Sequence, residues 1–151
     1  MAIRNIIKED DDRLFKKSRP VENFDEKLHT LLDDMAETMY KADGVGLAAV
    51  QVGILRRAVV IDCGEGIIEL VNPRIAGQSG EQEEIEGCLS FPGEAFYVKR
   101  PASVVVEAQD RNGKTFRVKG TGLLARAFCH ELDHLDGVVF KDKATRKAET
   151  E

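Results

Sequence analysis

Nowhere in the 151 residues do 18 apolar residues run together, so the sequence predicts no membrane-spanning helix. Basic residues are also in deficit. The 22 lysines and arginines against 27 acids leave a net charge of -5, which argues against a nucleic-acid partner, because such a partner selects a basic face. Cysteine is scarce, and an odd number, three, does not make a disulfide framework; it suits a reducing cytoplasm. The opening Met1-Ala2-Ile3-Arg4 is soon followed by Glu9-Asp10-Asp11-Asp12. It has neither the apolar stretch of a secretory signal nor the acid-poor character of a transit peptide, and a cytoplasmic protein is expected. Internal repeats, low-complexity segments and the GxGxxG or GKS spacing of phosphate loops are missing too. With 42% hydrophobic residues the chain supports one good core and hardly two.

What the chain does contain is His130-Glu131-Leu132-Asp133-His134. Residues i and i+4 share a helix face, so the two imidazoles can reach one ion, while Glu131, about 100° round the helix, can touch water at that ion without binding it. Leu123, Leu124, Ala127, Phe128, Leu132 and Leu135 recur at helical spacing around this motif, with Thr121 as N-cap and Gly137 as stop. A catalytic metal site of this kind needs a third protein ligand. The longer HExxHxxGxxH pattern holds as far as Gly137 and then meets Phe140 in place of histidine, and the few residues after His134 leave no room for a second helix bearing a glutamate ligand.

The third donor must therefore come from upstream, where the soft or nitrogen donors are His29, Cys63 and Cys88. Cys88 stands out in Glu86-Gly87-Cys88-Leu89-Ser90, where a glycine admits close backbone approach and Pro92 stiffens the exit. His29 falls off the apolar stripe Leu28, Leu31, Leu32, Met35 and Met39 of a helix read over Phe24 to Tyr40, and reads as a solvated position. Cys63 reads as a small residue at a strand end. A third segment, Gly44-Val45-Gly46-Leu47-Ala48-Ala49-Val50-Gln51, is dense in small residues and ends in an amide able to donate to a developing oxyanion.

These three segments, taken in this order, resemble the peptide deformylase family, whose motifs take the forms GxGxAAxQ, EGCLS and HExDH. The resemblance spans most of the chain, to about Phe140. It implies a metal-dependent amidase that removes the formyl group from the N-terminal methionine of newly made proteins and releases formate. It further implies Cys88, His130 and His134 as metal ligands, Glu131 as general base and acid, and the Gln51 amide and Leu89 N–H as oxyanion donors. The metal is ferrous iron by family habit, although a thiolate with two imidazoles also suits zinc, nickel or cobalt. An extended peptide would pair with Gly46 and Gly87 like an added strand. Val45, Leu123 and Ala127 would line the methionine pocket, and Glu86 paired with Arg100 would hold the Cys88 loop. The alternative is a metallopeptidase or other amidase that uses the same site on another acyl group. Two departures stand out: Cys129 replaces a common glutamine and reads as a packing residue, and the end of the chain lacks the long helix that many bacterial members use to dock on the ribosome. Transient access to nascent chains remains expected.

The architecture expected is α+β, with antiparallel sheets packed around a central HExxH helix, as one catalytic domain over 1–140 and a short charged tail over 141–151. Asn23 and Glu26 could open the first helix with a reciprocal cap. Strands are read at Arg57 to Asp62 and Ile67 to Asn72, with a hairpin from Val104 to Lys119 turning at Asn112-Gly113.

Overall fold

The computed structural model describes residues 2–148. A five-stranded antiparallel sheet has the order β1 (Gly46–Ala48), β2 (Ala58–Ile61), β3 (Ile68–Ser79), β6 (Ser103–Gln109), β7 (Thr115–Thr121). A three-stranded sheet has the order β4 (Gln82–Cys88), β5 (Phe91–Arg100), β8 (Ala144–Lys147). The helices are α1 (Glu26–Lys41) and α2 (Gly122–Leu135). This is the α+β arrangement expected. Among the described residues no helix is long and apolar enough to cross a membrane.

Strand β2 shows how the layers form. All four of its residues are buried, and they alternate between two cores. Val59 and Ile61 pack with Ala125, Phe128, Leu132 and Leu135 of α2, whereas Ala58 and Val60 pack with Leu28, Leu32, Met35 and Met39 of α1. A continuous apolar strand is what a sheet covered on both faces requires. A third, smaller core joins Leu14, Phe91, Val98, Val139 and Phe140 beneath the three-stranded sheet. The metal-motif helix α2 is thus held by the large sheet on one side and meets β5 on the other.

Several local readings need correction. The first helix is opened by Asp25, whose carboxylate accepts from Leu28 N–H, and not by Asn23. Strand β3 runs on past Asn72 to Ser79; a register shift at Pro73 and the left-handed Asn72 (φ 50°) carry it across the proline. The β4–β5 hairpin was not anticipated. The segment expected as a charged tail is ordered as a 3₁₀ turn at Phe140–Lys143 followed by β8, which pairs with β5 and lays Arg146 over the Tyr97 ring at 3.7 Å. Glu149 to Glu151 lie outside the described residues. Thr121 occupies the N-cap position of α2 without a side-chain cap bond, and Gly137 follows the helix end at φ 75°, where a Cβ would strike the Phe15 carbonyl.

Candidate metal centre and cleft

The end of β4 and one face of α2 bring Cys88, His130 and His134 together, with their ligand atoms all within 4.8 Å of one another. Of the three upstream donors, only Cys88 joins the histidines. Cys63 packs against the main core, and His29 is half-buried, its Nε2 lying 2.8 Å from the Arg111 carbonyl rather than facing solvent alone. Cys129 is buried, and burial pushes its thiol up, as a packing residue requires.

Each histidine is oriented. His130 donates from Nδ1 to Glu86 Oε1 at 2.9 Å, which leaves Nε2 for an ion. His134 Nε2 lies 3.4 Å from Cys88 Sγ. Glu86 is itself clamped by Arg100, which donates from Nε and Nη2 at 2.9 and 3.0 Å and from Nη1 to Asp133 of α2 at 2.7 Å. The pairing of Glu86 with Arg100 is present and extends further than expected, tying the cysteine strand to the histidine helix. Burial alone would raise the Glu86 carboxyl, but the hydrogen bonds from His130 and Arg100 outweigh it and hold the group ionised.

Glu131 is buried, and desolvation, reinforced by Glu86 against the attraction of His130, pushes its carboxyl up to about 7. A carboxyl poised there can take and return protons near neutral pH. Burial holds His134 neutral, well below the usual imidazole range. Among the described residues, Glu131 Oε1 and His134 Nδ1 are buried without a partner. The orphaned Glu131 oxygen beside a thiol and two imidazoles fits a divalent cation and its water, and the donor types suit iron, zinc, nickel or cobalt.

Gln51 is buried in a 3₁₀ turn, Ala49–Val52, rather than on an open loop. Its Oε1 accepts from Ala48 N–H at 3.0 Å, which fixes which end is the amide; Nε2 then donates to Ser90 Oγ at 3.1 Å and lies 3.7 Å from Cys88 Sγ. The glycines before it clear space. A Cβ on Gly46 would come within 2.6 Å of Glu131 Oε2, and one on Gly44 within 2.7 Å of Leu89 Cδ1.

The site opens into a cleft of about 380 Å³, lined by Val45, Gly46, Gly87, Leu89, Leu123 and Ala127. Ile85 and Arg126, which sequence reasoning passed over, line it too. Val45, Ile85 and Leu123 are large apolar residues left 42%, 50% and 44% exposed, an apolar surface waiting for a ligand. Strands β1 and β4 flank the cleft, and each is the outer strand of its sheet, so two unpaired edges face it. Ile85 could have been found as the one large apolar residue in the acidic run from Glu81 to Glu86.

A Cys, His, His donor set beside a desolvated carboxylate, at the head of an apolar cleft in this α+β fold, defines the class: a metal-dependent hydrolase. The polypeptide deformylase family model matches residues 3–150. A peptide deformylase of Alkaliphilus metalliredigens is 58% identical over 147 residues, 97% of this chain and 100% of that protein. One from Acetivibrio thermocellus is 60% identical over 146 residues, covering 97% and 86%. The crystal structure of a peptide deformylase from Legionella pneumophila superposes with a TM-score of 0.92 at 49% identity, covering 95% of this chain and 86% of that one. That from Ehrlichia chaffeensis, in complex with actinonin, gives 0.93 at 39% identity, covering 96% and 90%. The chain belongs to the polypeptide deformylase family.

Proposed function

We infer that this chain hydrolyses the formyl group from the N-terminal formylmethionine of newly made proteins and releases formate. The observation that carries this reading is the buried, unpartnered carboxylate of Glu131 at the head of a cleft with two free strand edges and an apolar lining. Cys88, His130 and His134 would hold a divalent cation, most naturally ferrous iron. When bound, it supplies water with a lowered pKa and a Lewis acid for the formyl oxygen.

The protein's own groups carry the remainder. Glu131 accepts the proton of the attacking water and later delivers it to the departing amine, a double duty that its raised pKa suits. As charge grows on the formyl oxygen, the Gln51 amide, already fixed by Ala48 and Ser90, and the Leu89 N–H donate to it; each such donor is worth roughly 3 kcal/mol of barrier. The substrate backbone enters as an added strand against Gly46 and Gly87, which reads methionine by its pocket and leaves later residues unspecified by the backbone pairing. Val45, Leu123 and Ala127 receive the methionine side chain. Such substrates place the reaction in the cytoplasm, where the enzyme meets nascent chains transiently. We treat 1–140 as the catalytic domain together with the stretch through Lys147, since β8 completes its smaller sheet.

The test is formate release from N-formyl-Met-Ala-Ser by protein loaded anaerobically with Fe(II), beside the acetylated peptide and a Glu131→Ala control. Turnover of the formyl peptide alone, abolished in the control with the metal still bound, is the expected result. Folded, metal-loaded protein that yields no formate would overturn the reading in favour of another amidase or peptidase.

A further inference from the structure

We propose that a second cavity, remote from the metal centre, binds a small aliphatic carboxylate, with Arg19 and Arg56 holding the head group and an apolar floor receiving the chain. The proposal stands whether or not the deformylase reading does.

The cavity has a volume of about 630 Å³, in the range of small-molecule sites. It lies at the far end of α1 from the cleft. Lys27, Leu28 and Leu31 line it from the first two turns of that helix, whereas Asp43 of the cleft follows the last turn, and 16 helical residues span roughly 24 Å.

The rim calls for an anion. Arg19 and Arg56 stand opposite each other in an isolated parallel bridge, in which the Arg19 N–H donates to the Leu55 carbonyl at 3.1 Å and the Arg57 N–H to the Arg19 carbonyl at 2.9 Å. Opposed residues of paired strands share a face, so the backbone sets two guanidinium groups side by side at the cavity. Like charges so placed repel each other until an anion lies between them. Among the described residues neither arginine forms an ion pair, and the one side-chain hydrogen bond of the two runs from Arg56 Nη1 to the neighbouring Leu55 carbonyl at 3.2 Å. Lys27 is a third lining cation without an acid partner. The acids do not offset them. Arg4 is committed to Asp34 at 2.9 Å and the Asp25 carboxylate caps α1, which leaves Glu22 as the single unbonded acid of the rim against three unbonded cations.

The floor decides the remainder of the ligand. Val21, Leu28 and Leu31 are buried side chains that line the cavity, and half-buried Ile54 joins them, a surface that suits an alkyl chain. A peptide fits less well here than at the cleft. Both backbone groups of Arg19 are bonded to Leu55 and Arg57, and those of Val21 are held by the Asn72 amide at 2.8 and 2.9 Å, so this stretch offers no open strand edge. A carboxylate matches the planar fork of a guanidinium.

The probe is octanoate, titrated into zinc-loaded protein and followed by backbone amide NMR, beside octanol, octylamine and N-acetyl-leucyl-leucine. Saturable shifts are expected at Arg19, Val21, Leu28 and Ile54, with octanoate binding more tightly than octanol or octylamine. The affinity should fall roughly 5- to 10-fold in the double variant Arg19→Gln with Arg56→Gln, and also as salt rises. Turnover of formyl-Met-Ala-Ser by that variant should match wild type. Shifts confined to the cleft, at Val45 and Leu123, would overturn the proposal, as would the absence of saturable binding or an octanoate affinity unchanged in the folded double variant. Tighter binding of N-acetyl-leucyl-leucine at the same amides would overturn the aliphatic chain in favour of a peptide end.

Discussion

The cysteine and the two histidines reach the site from bodies of opposite character. His130 and His134 stand on a helix packed against the main core, in which Phe128 and Leu135 are fully buried. Cys88 ends a strand in which Glu86 alone is buried, and much of the rest faces solvent. Apolar burial places the helix, and little apolar burial is available to place the cysteine strand. That task falls to a polar tie, Glu86 with Arg100, His130 and the partly exposed Asp133; Glu86, Arg100 and His130 are nearly dry, so each of these three needs its partners. Nonpolar packing tolerates small losses; a buried charge network does not.

Breaking that tie should have the largest effect. Arg100→Met leaves Glu86 buried and uncompensated, and should lower stability by on the order of 3–5 kcal/mol in urea unfolding. It should also weaken metal binding by roughly 10- to 100-fold, measured by competition with a chelator. Combining it with Glu86→Leu should restore much of the stability and none of the metal affinity; if the single variant is as stable as wild type, the polar tie does not hold the strand. The small core beneath the three-stranded sheet comes next. Phe140 is fully buried and touches Phe91, Phe96 and the His130 ring at centroid distances of 5.5, 5.3 and 5.6 Å. Phe140→Ala should cost about 3 kcal/mol, read by the same unfolding assay.

On the side of the large sheet, Gly46→Ala tests positioning rather than cohesion. The new methyl group displaces Glu131 and should lower kcat by up to about 100-fold, with a smaller stability loss than Phe140→Ala. The smallest effect is a pH dependence confined to α1. Asp34 accepts from Ala2 N–H and Arg4 Nε at 2.7 and 2.9 Å. Burial opposes ionisation, yet these bonds hold the carboxyl below its ordinary value. Its contribution is therefore complete above the ordinary carboxylate range and lost as pH falls through and below it. Unfolding free energies of wild type and Asp34→Asn should differ by ~0.5 kcal/mol at neutral pH and converge in acid.

The same contrast decides what could be read from the sequence. The large sheet and α2 announce themselves through apolar periodicity: β2 is a buried run, and the hairpin turns at Gly113 with φ 87°, as Asn112-Gly113 foretells. Cys88, His130, His134, Glu131 and Gln51 lie in short motifs, so their grouping was legible before any coordinates. The small sheet was not. Strand β4 reads as a solvated run of glutamates, and β8 as a charged tail, because both are edges whose partners are hydrogen bonds and an Arg146–Tyr97 stack instead of a core. Arg126 was missed for a related reason: its hydrogen bond to Gln82 crosses 44 residues, which no spacing rule reports.

The exposed glutamates of β4 have a use when no substrate is present. The proposed capture of peptide as an added strand requires open edges, and an open edge is equally a template for another copy of the same chain. Strand β1 limits that risk by being three residues long. On β4 the exposed Glu83 and Glu84 put an acid on each face of the edge strand, so two molecules that zipped together there would bring like charges together on both faces. A single peptide strand entering the cleft meets that charge once, whereas a second enzyme molecule meets it doubled, and the edge can stay available to passing chains without becoming a seed for self-association.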